Sequence, residues 1–87
     1  MIEEQKAEAQ QTLDELFNEG LLPFELSARK VASIGVNEYS VYFHDSRLRS
    51  VDISWSPGEC FRDVFRAAVL ERVKRFSGPL AHKTARV

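Results

Sequence analysis

A single cysteine, Cys60, leaves this chain without an intramolecular disulfide, so its 87 residues must be held together by packing alone. Histidine is nearly as scarce, and His44 and His82 beside Cys60 do not make a structural zinc ligand set. No apolar run approaches the roughly 20 residues that a membrane-spanning helix needs. The first residues are acidic, where a secretory leader is basic and then apolar. Glycine is dispersed: Gly20, Gly35, Gly58 and Gly78 each mark a turn or a helix end, and none builds a phosphate-cradling loop. These absences predict a soluble, cytoplasmic domain with no cofactor, no bound metal and no membrane contact.

What is present suffices for one compact unit. Hydrophobic content is 44% with nine aromatic residues, and a chain of this length hides about 60 to 65% of its unfolded surface. That permits a core but not a deep pocket. The net charge of −1 conceals an asymmetry. Residues 1–19 carry six acids against one base, and residues 20–87 carry seven acids against eleven bases, so the two parts sit near −5 and +4. Opposed blocks of charge are expected to attract one another or to remain solvated.

The spacing of apolar residues changes period along the chain. Ala9, Leu13, Leu16 and Phe17 recur at three- and four-residue steps in a Glu-, Gln-, Ala- and Leu-rich segment, which predicts a helix over 3–19. Gly20 then suits the left-handed position after a helix, with Leu21 expected to pack back on Leu16. Between Phe24 and Val36 the even positions Phe24, Leu26, Ala28, Ala32 and Ile34 are apolar, which predicts a strand with those residues inward. Lys30 and Val31 break the alternation and predict a bulge or an edge position.

Tyr39, Val41 and Phe43, then Val51, Ile53 and Trp55, alternate with polar neighbours and predict a hairpin with one apolar face. Pairing Val41 with Val51 and Tyr39 with Ile53 fixes its register and leaves Asp45, Ser46 and Arg47 as the loop. Arg49 would then point inward near the tip and bend out to water. Ser56-Pro57-Gly58-Glu59 reads as a capping box opening a second helix. Its stripe is Phe61, Phe65, Ala68, Val69, Val73 and Phe76, and Gly78 and Pro79 are expected to end it. The expected architecture is α+β, a three-stranded antiparallel sheet flanked by N- and C-terminal helices in the order α-β-β-β-α. The compact domain spans 1–79, with a mobile tail over 80–87.

No residue set points to catalysis. Cys60 falls in the first turn expected of the second helix, where amides and the helix dipole favour a thiolate. With no resolving cysteine and Glu59 beside it, a partly buried, inert thiol is expected. His44 and Asp45 are adjacent at the hairpin tip, a place without walls to exclude water from acid-base chemistry.

The sheet face away from the helices is expected to carry Ser27, Arg29, Val31, Ser40, Tyr42, His44, Leu48, Ser50, Asp52 and Ser54. Tyr42, Leu48 and Val31 would form a modest apolar patch there. On the second helix Ala67 and Leu70 lie opposite the main stripe. Tyr42, Leu48, Ala67 and Leu70 are therefore candidate partner contacts. The expected role is a small non-enzymatic interaction or regulatory module that binds another protein or itself.

The element order is similar to that of the double-stranded-RNA-binding domain over roughly residues 8–76, and Leu13-Asp14-Glu15-Leu16 resembles that family's first-helix motif. The resemblance implies an alternative function in nucleic-acid binding, for which Arg29, Lys30, Arg47, Arg49, Arg62 and Arg66 are the candidate contacts. The chain departs from the pattern at both principal RNA contacts. The last helix opens Cys60-Phe61-Arg62-Asp63-Val64-Phe65-Arg66 in place of a Lys-Lys-x-Ala-Lys cluster, and Gly35-Val36-Asn37-Glu38 stands in place of a Gly-Pro-x-His loop. With a pI of about 6.1, nucleic acid is not the expected partner.

Overall fold

The computed structural model describes the backbone of residues 2–86 and the side chains of residues 3–75. Five elements follow one another: α1 (Ile2–Asn18), β1 (Ala28–Gly35), β2 (Glu38–Phe43), β3 (Ser50–Ser54) and α2 (Phe61–Arg86). The strands form one antiparallel sheet in the order β1-β2-β3. Both helices pack on the same side of it and against each other, giving the α+β fold that the change of period predicts. No helix among the described residues is long and apolar enough to cross a membrane.

Helix α1 buries Ala9, Leu13 and Leu16 completely. Thr12 joins that stripe at 1% exposure because its hydroxyl donates to the Glu8 carbonyl at 2.8 Å. The buried stripe is thus centred nearer Thr12 than expected, and Phe17 is left 41% exposed. At the C-terminus Gly20 adopts φ +78°. Its N–H donates to Phe17 O and the Leu21 N–H donates to Leu16 O, both at 3.0 Å, which is the double bond of a Schellman ending. The apolar contact expected of Leu21 falls instead to Leu22: Leu21 is exposed and Leu22 is buried.

Strand β1 contains the expected bulge, a register shift between Ala28 and Lys30. An inserted residue reverses which side chains face inward. Ala28 is buried before the bulge and Val31 after it, opposite Val41, whereas Ile34 turns outward at 53% exposure. The inward placement expected of Ala32 and Ile34 is corrected by that reversal. The β2–β3 register matches the parity argument, with Tyr39 opposite Ile53 and Val41 opposite Val51.

The hairpin connection is longer than three residues and contains one helical turn. The Asp45 carboxylate accepts from the N–H groups of Arg47 (2.8 Å) and Leu48 (3.0 Å), and the Arg49 N–H donates to Asp45 O at 2.9 Å. Arg49 closes the turn in the left-handed region at φ +67°. That turn cancels strand parity, so Leu48 points into the core at 1% exposure and Arg49 is exposed.

Ser56 does not cap α2. Ser56–Glu59 forms a β-turn closed by Glu59 N–H to Ser56 O at 3.0 Å, with Pro57 second and Gly58 third at φ +94°. The Ser56 N–H donates to Glu59 Oε1 at 2.8 Å, the half of the capping box that survives. The helix begins at Phe61, and Cys60 supplies the carbonyl that accepts its first bond, from Val64 N–H at 3.1 Å. At its other end α2 runs through Gly78 and Pro79 to Arg86, so neither residue ends it, and residues 80–86 of the expected tail are helical backbone. The side chain of Phe76 and the whole of Val87 lie outside the described residues.

Between helices and sheet, Tyr39, Trp55, Phe61, Phe65 and Phe43 form a connected aromatic row with centroid separations of 5.3 to 6.4 Å. Val41, Leu48, Val51 and Ile53 are buried in the same core.

Candidate binding face on the outer side of the sheet

Beyond the bulge, Lys30, Ala32 and Ile34 of β1, Ser40 and Tyr42 of β2 and Ser50, Asp52 and Ser54 of β3 share the face that neither helix covers. Its middle is closed by a polar pair. The Ser40 hydroxyl, 6% exposed, donates to the Asp52 carboxylate between Ala32 and the β3 strand.

The two ends of this face differ in charge. At the end near Gly35, Glu38 and Asp52 flank a shallow groove shared with Ile34 and Ser54. At the hairpin end, Arg29 and Lys30 stand 5.4 and 5.2 Å from the Tyr42 ring centroid, in cation–π contact. Here a cleft of about 400 Å³ is lined by Arg29, Tyr42, Ser46, Arg49 and Ser50. Asp45 also borders it, but its carboxylate is occupied by two backbone N–H groups and by the Arg47 guanidinium at 2.9 Å. The Arg47 hydrogen bond leads the causes that hold the Asp45 carboxyl below its ordinary range, against the opposing effect of burial.

Five of the seven arginines with described side chains are engaged elsewhere. Arg47 pairs with Asp45 and lies 3.7 Å above the Phe24 ring centroid. Arg62 pairs with Glu15 and donates to Gln11, and Arg66 pairs with Glu19 at 3.1 Å, so the acidic first helix is held by the second. The Glu15 carboxylate raises the Arg62 guanidinium above its ordinary value. Arg75 faces Glu71, and Arg72 spans to the carbonyls of Leu48 and Ser50, both at 2.9 Å. The two with neither an ion pair nor a side-chain hydrogen bond among the described residues, Arg29 and Arg49, line the same cleft.

The candidate contacts thus separate. Tyr42 is on the outer face and half-buried. Leu48 is removed from the candidates, because the helical turn carries it into the core. On α2, Ala67 is exposed, but Leu70 is partly buried against the core rather than outward, so no leucine patch forms there. Val31, expected beside Tyr42, is buried by the bulge. Of the six candidate nucleic-acid contacts, Arg29, Lys30 and Arg49 gather at the hairpin end, whereas Arg47, Arg62 and Arg66 are held by carboxylates. Cys60 is exposed rather than partly buried, because the helix starts one residue after it.

Sequence reasoning singled out neither Ser46, left in the hairpin loop, nor Ser50, placed on the outer face, as a contact, and it gave Arg72 no role. The signal for the first was an aspartate three residues before a leucine, an N-cap pattern inside what reads as a short loop. Among the described residues no three His, Cys, Asp or Glu side chains converge as metal ligands. No family model, curated protein or solved structure matches the chain. The class is therefore defined by the fold and the face alone: a small α+β domain with one sheet face open and charged at both ends.

Proposed function

We propose that this chain is a non-enzymatic protein-interaction module whose outer sheet face docks an acidic segment of another protein. One observation carries the reading: both helices cover the inner face, and the uncovered face concentrates Arg29, Lys30 and Arg49 around Tyr42 at one end. Such a patch favours an anionic partner through steering and complementarity. The open cleft has no enclosing walls, and His44 is exposed, which supports binding rather than acid-base catalysis. The exposed, unpaired Cys60 thiol supports a reducing, cytoplasmic setting.

A nucleic-acid function would need a track of cations. Here Asp52 and Glu38 interrupt the face beyond Lys30, and Arg62 and Arg66 are already neutralised. Self-association through Leu48 and Leu70 loses its support, because Leu48 is buried and Leu70 packs partly buried against the core.

Photo-crosslinking in cells tests the proposal, with the reactive residue at Ile34 or Ser50 on the outer face and at Ala67 on α2 as control. The expected result is a heterologous protein linked from the outer face, through a peptide rich in Asp and Glu, and not from Ala67. Links to nucleic acid, to a second copy of this chain, or from Ala67 alone would reject it.

A further inference from the structure

We infer that the cleft at the hairpin end of the outer face recognises a phosphate monoester, carried on a phosphorylated side chain of the docked protein. The inference rests on the proposed docking of a protein on this face and specifies the group that the face selects.

The argument starts from unused hydrogen-bonding capacity. Arg29 and Arg49 line one cleft and have no anionic partner among the described residues. Ser46 and Ser50 border the same space and bring a hydroxyl each. The carboxylate that could neutralise these arginines, Asp45, is turned to Arg47 and to the backbone of its own turn. The cleft is therefore short of negative charge while its acid is already occupied.

Two planar guanidinium forks and two hydroxyls offer more donors than one carboxylate can accept with two oxygens. A phosphate monoester presents three terminal oxygens and a charge of about −1.5 to −2, and arginine forks match that geometry. A phosphodiester chain fits less well, because its next phosphates would run toward Asp52 and Glu38 or off the sheet.

Arg49 is also an unusual occupant of its position: it takes φ +67° in a turn closed by its N–H to Asp45 O, and it is exposed and lines the cleft. Glycine would satisfy the turn better. That an arginine occupies it is what a binding role explains and turn stability does not.

Amide NMR titration with O-phosphoserine tests the site, with acetate, a phosphodiester dinucleotide and duplex DNA as comparison probes. Saturable shifts centred on Tyr42, Arg49 and Ser50 are expected at about 1 to 10 mM phosphoserine, a range suited to an isolated group. Arg29→Gln and Arg49→Gly should each weaken binding by at least about tenfold, which is about 1.4 kcal/mol. Arg62→Gln, away from the cleft, should leave it unchanged. Arg49→Gly should also melt no lower than the parent, which separates lost binding from lost fold. Equal response to acetate, a shift pattern that follows Arg62, or tighter binding of duplex DNA at physiological salt would overturn the inference. If phosphoserine fails while the outer-face crosslink survives phosphatase treatment, the phosphate assignment falls and the docking proposal stands.

Discussion

Phe61 and Phe65 stack one turn apart on α2, with centroids 5.6 Å apart and ring planes 6° from parallel. Phe65 is wholly buried and also meets Phe43 of β2 at 6.4 Å, so one side chain joins helix to sheet. Phe65→Ala is expected to cost about 3 to 5 kcal/mol, a large share of the stability of a domain this small. Urea denaturation measures it, and a loss below about 1 kcal/mol would place Phe65 outside the core.

Arg72 ties the hairpin tip to α2 through two carbonyls. Arg72→Ala should destabilise by about 1 to 2 kcal/mol, and Arg72→Lys should not restore the loss, because an ammonium lacks the fork that reaches both oxygens. Equal stability of the lysine variant and the parent would show that charge alone suffices.

Asp45 gives the stability a pH dependence of known sign. Its folded carboxyl lies below the ordinary 3.8, so the folded state binds this proton more weakly than the unfolded chain. The contribution is present above the ordinary value and is lost as pH falls through the lower folded value. Asp45→Asn keeps an acceptor for the turn but removes the charge. It should be less stable than the parent at neutral pH and converge with it in acid, as followed by urea midpoints at several pH values.

The turn before α2 separates two substitutions that a capping box would make alike. Ser56→Ala should change stability by less than about 0.5 kcal/mol, because the serine side chain caps nothing. Gly58→Ala should cost about 1 kcal/mol: there is open space for the methyl group, but φ +94° disfavours it. A larger effect at Ser56 than at Gly58 would restore the serine as a cap.

Arg49→Gly is expected to gain about 0.5 to 1 kcal/mol, since glycine adopts the left-handed conformation without the penalty paid by an L side chain. A thermal melt shows the gain. A lower melting temperature would mean that the arginine side chain stabilises the turn itself.

What could be read from the sequence followed regular periods. The hairpin register emerged because parity is strict within β2 and β3, and α1 and the body of α2 emerged from their stripes. What escaped lies where one residue breaks a period. The bulge near Arg29 exchanged Val31 for Ile34, and the helical turn at Asp45–Leu48 exchanged Leu48 for Arg49. Those two irregularities also built the cleft, by bringing Arg29 and Arg49 to one side of Tyr42. A convergence from two separate interruptions has no single spacing to reveal it.

The Arg72 fork has a consequence for how the chain behaves in a crowd. Phe43 N–H donates to Arg49 O and Trp55 N–H to Asn37 O, so the odd-numbered pairs of this hairpin carry the ladder bonds. The peptide groups of Ser50, Asp52 and Ser54 therefore point away from β2, along the free rim of the sheet, where an incoming strand could add. At Ser50 that opportunity is closed: its N–H is taken by Leu48 O at 2.7 Å and its carbonyl by Arg72. Asp52 adds a charge at the next outward position. By taking the Ser50 carbonyl, Arg72 leaves the end of this rim beside the hairpin with no free peptide group to template an added strand, while the outer face of the sheet stays open.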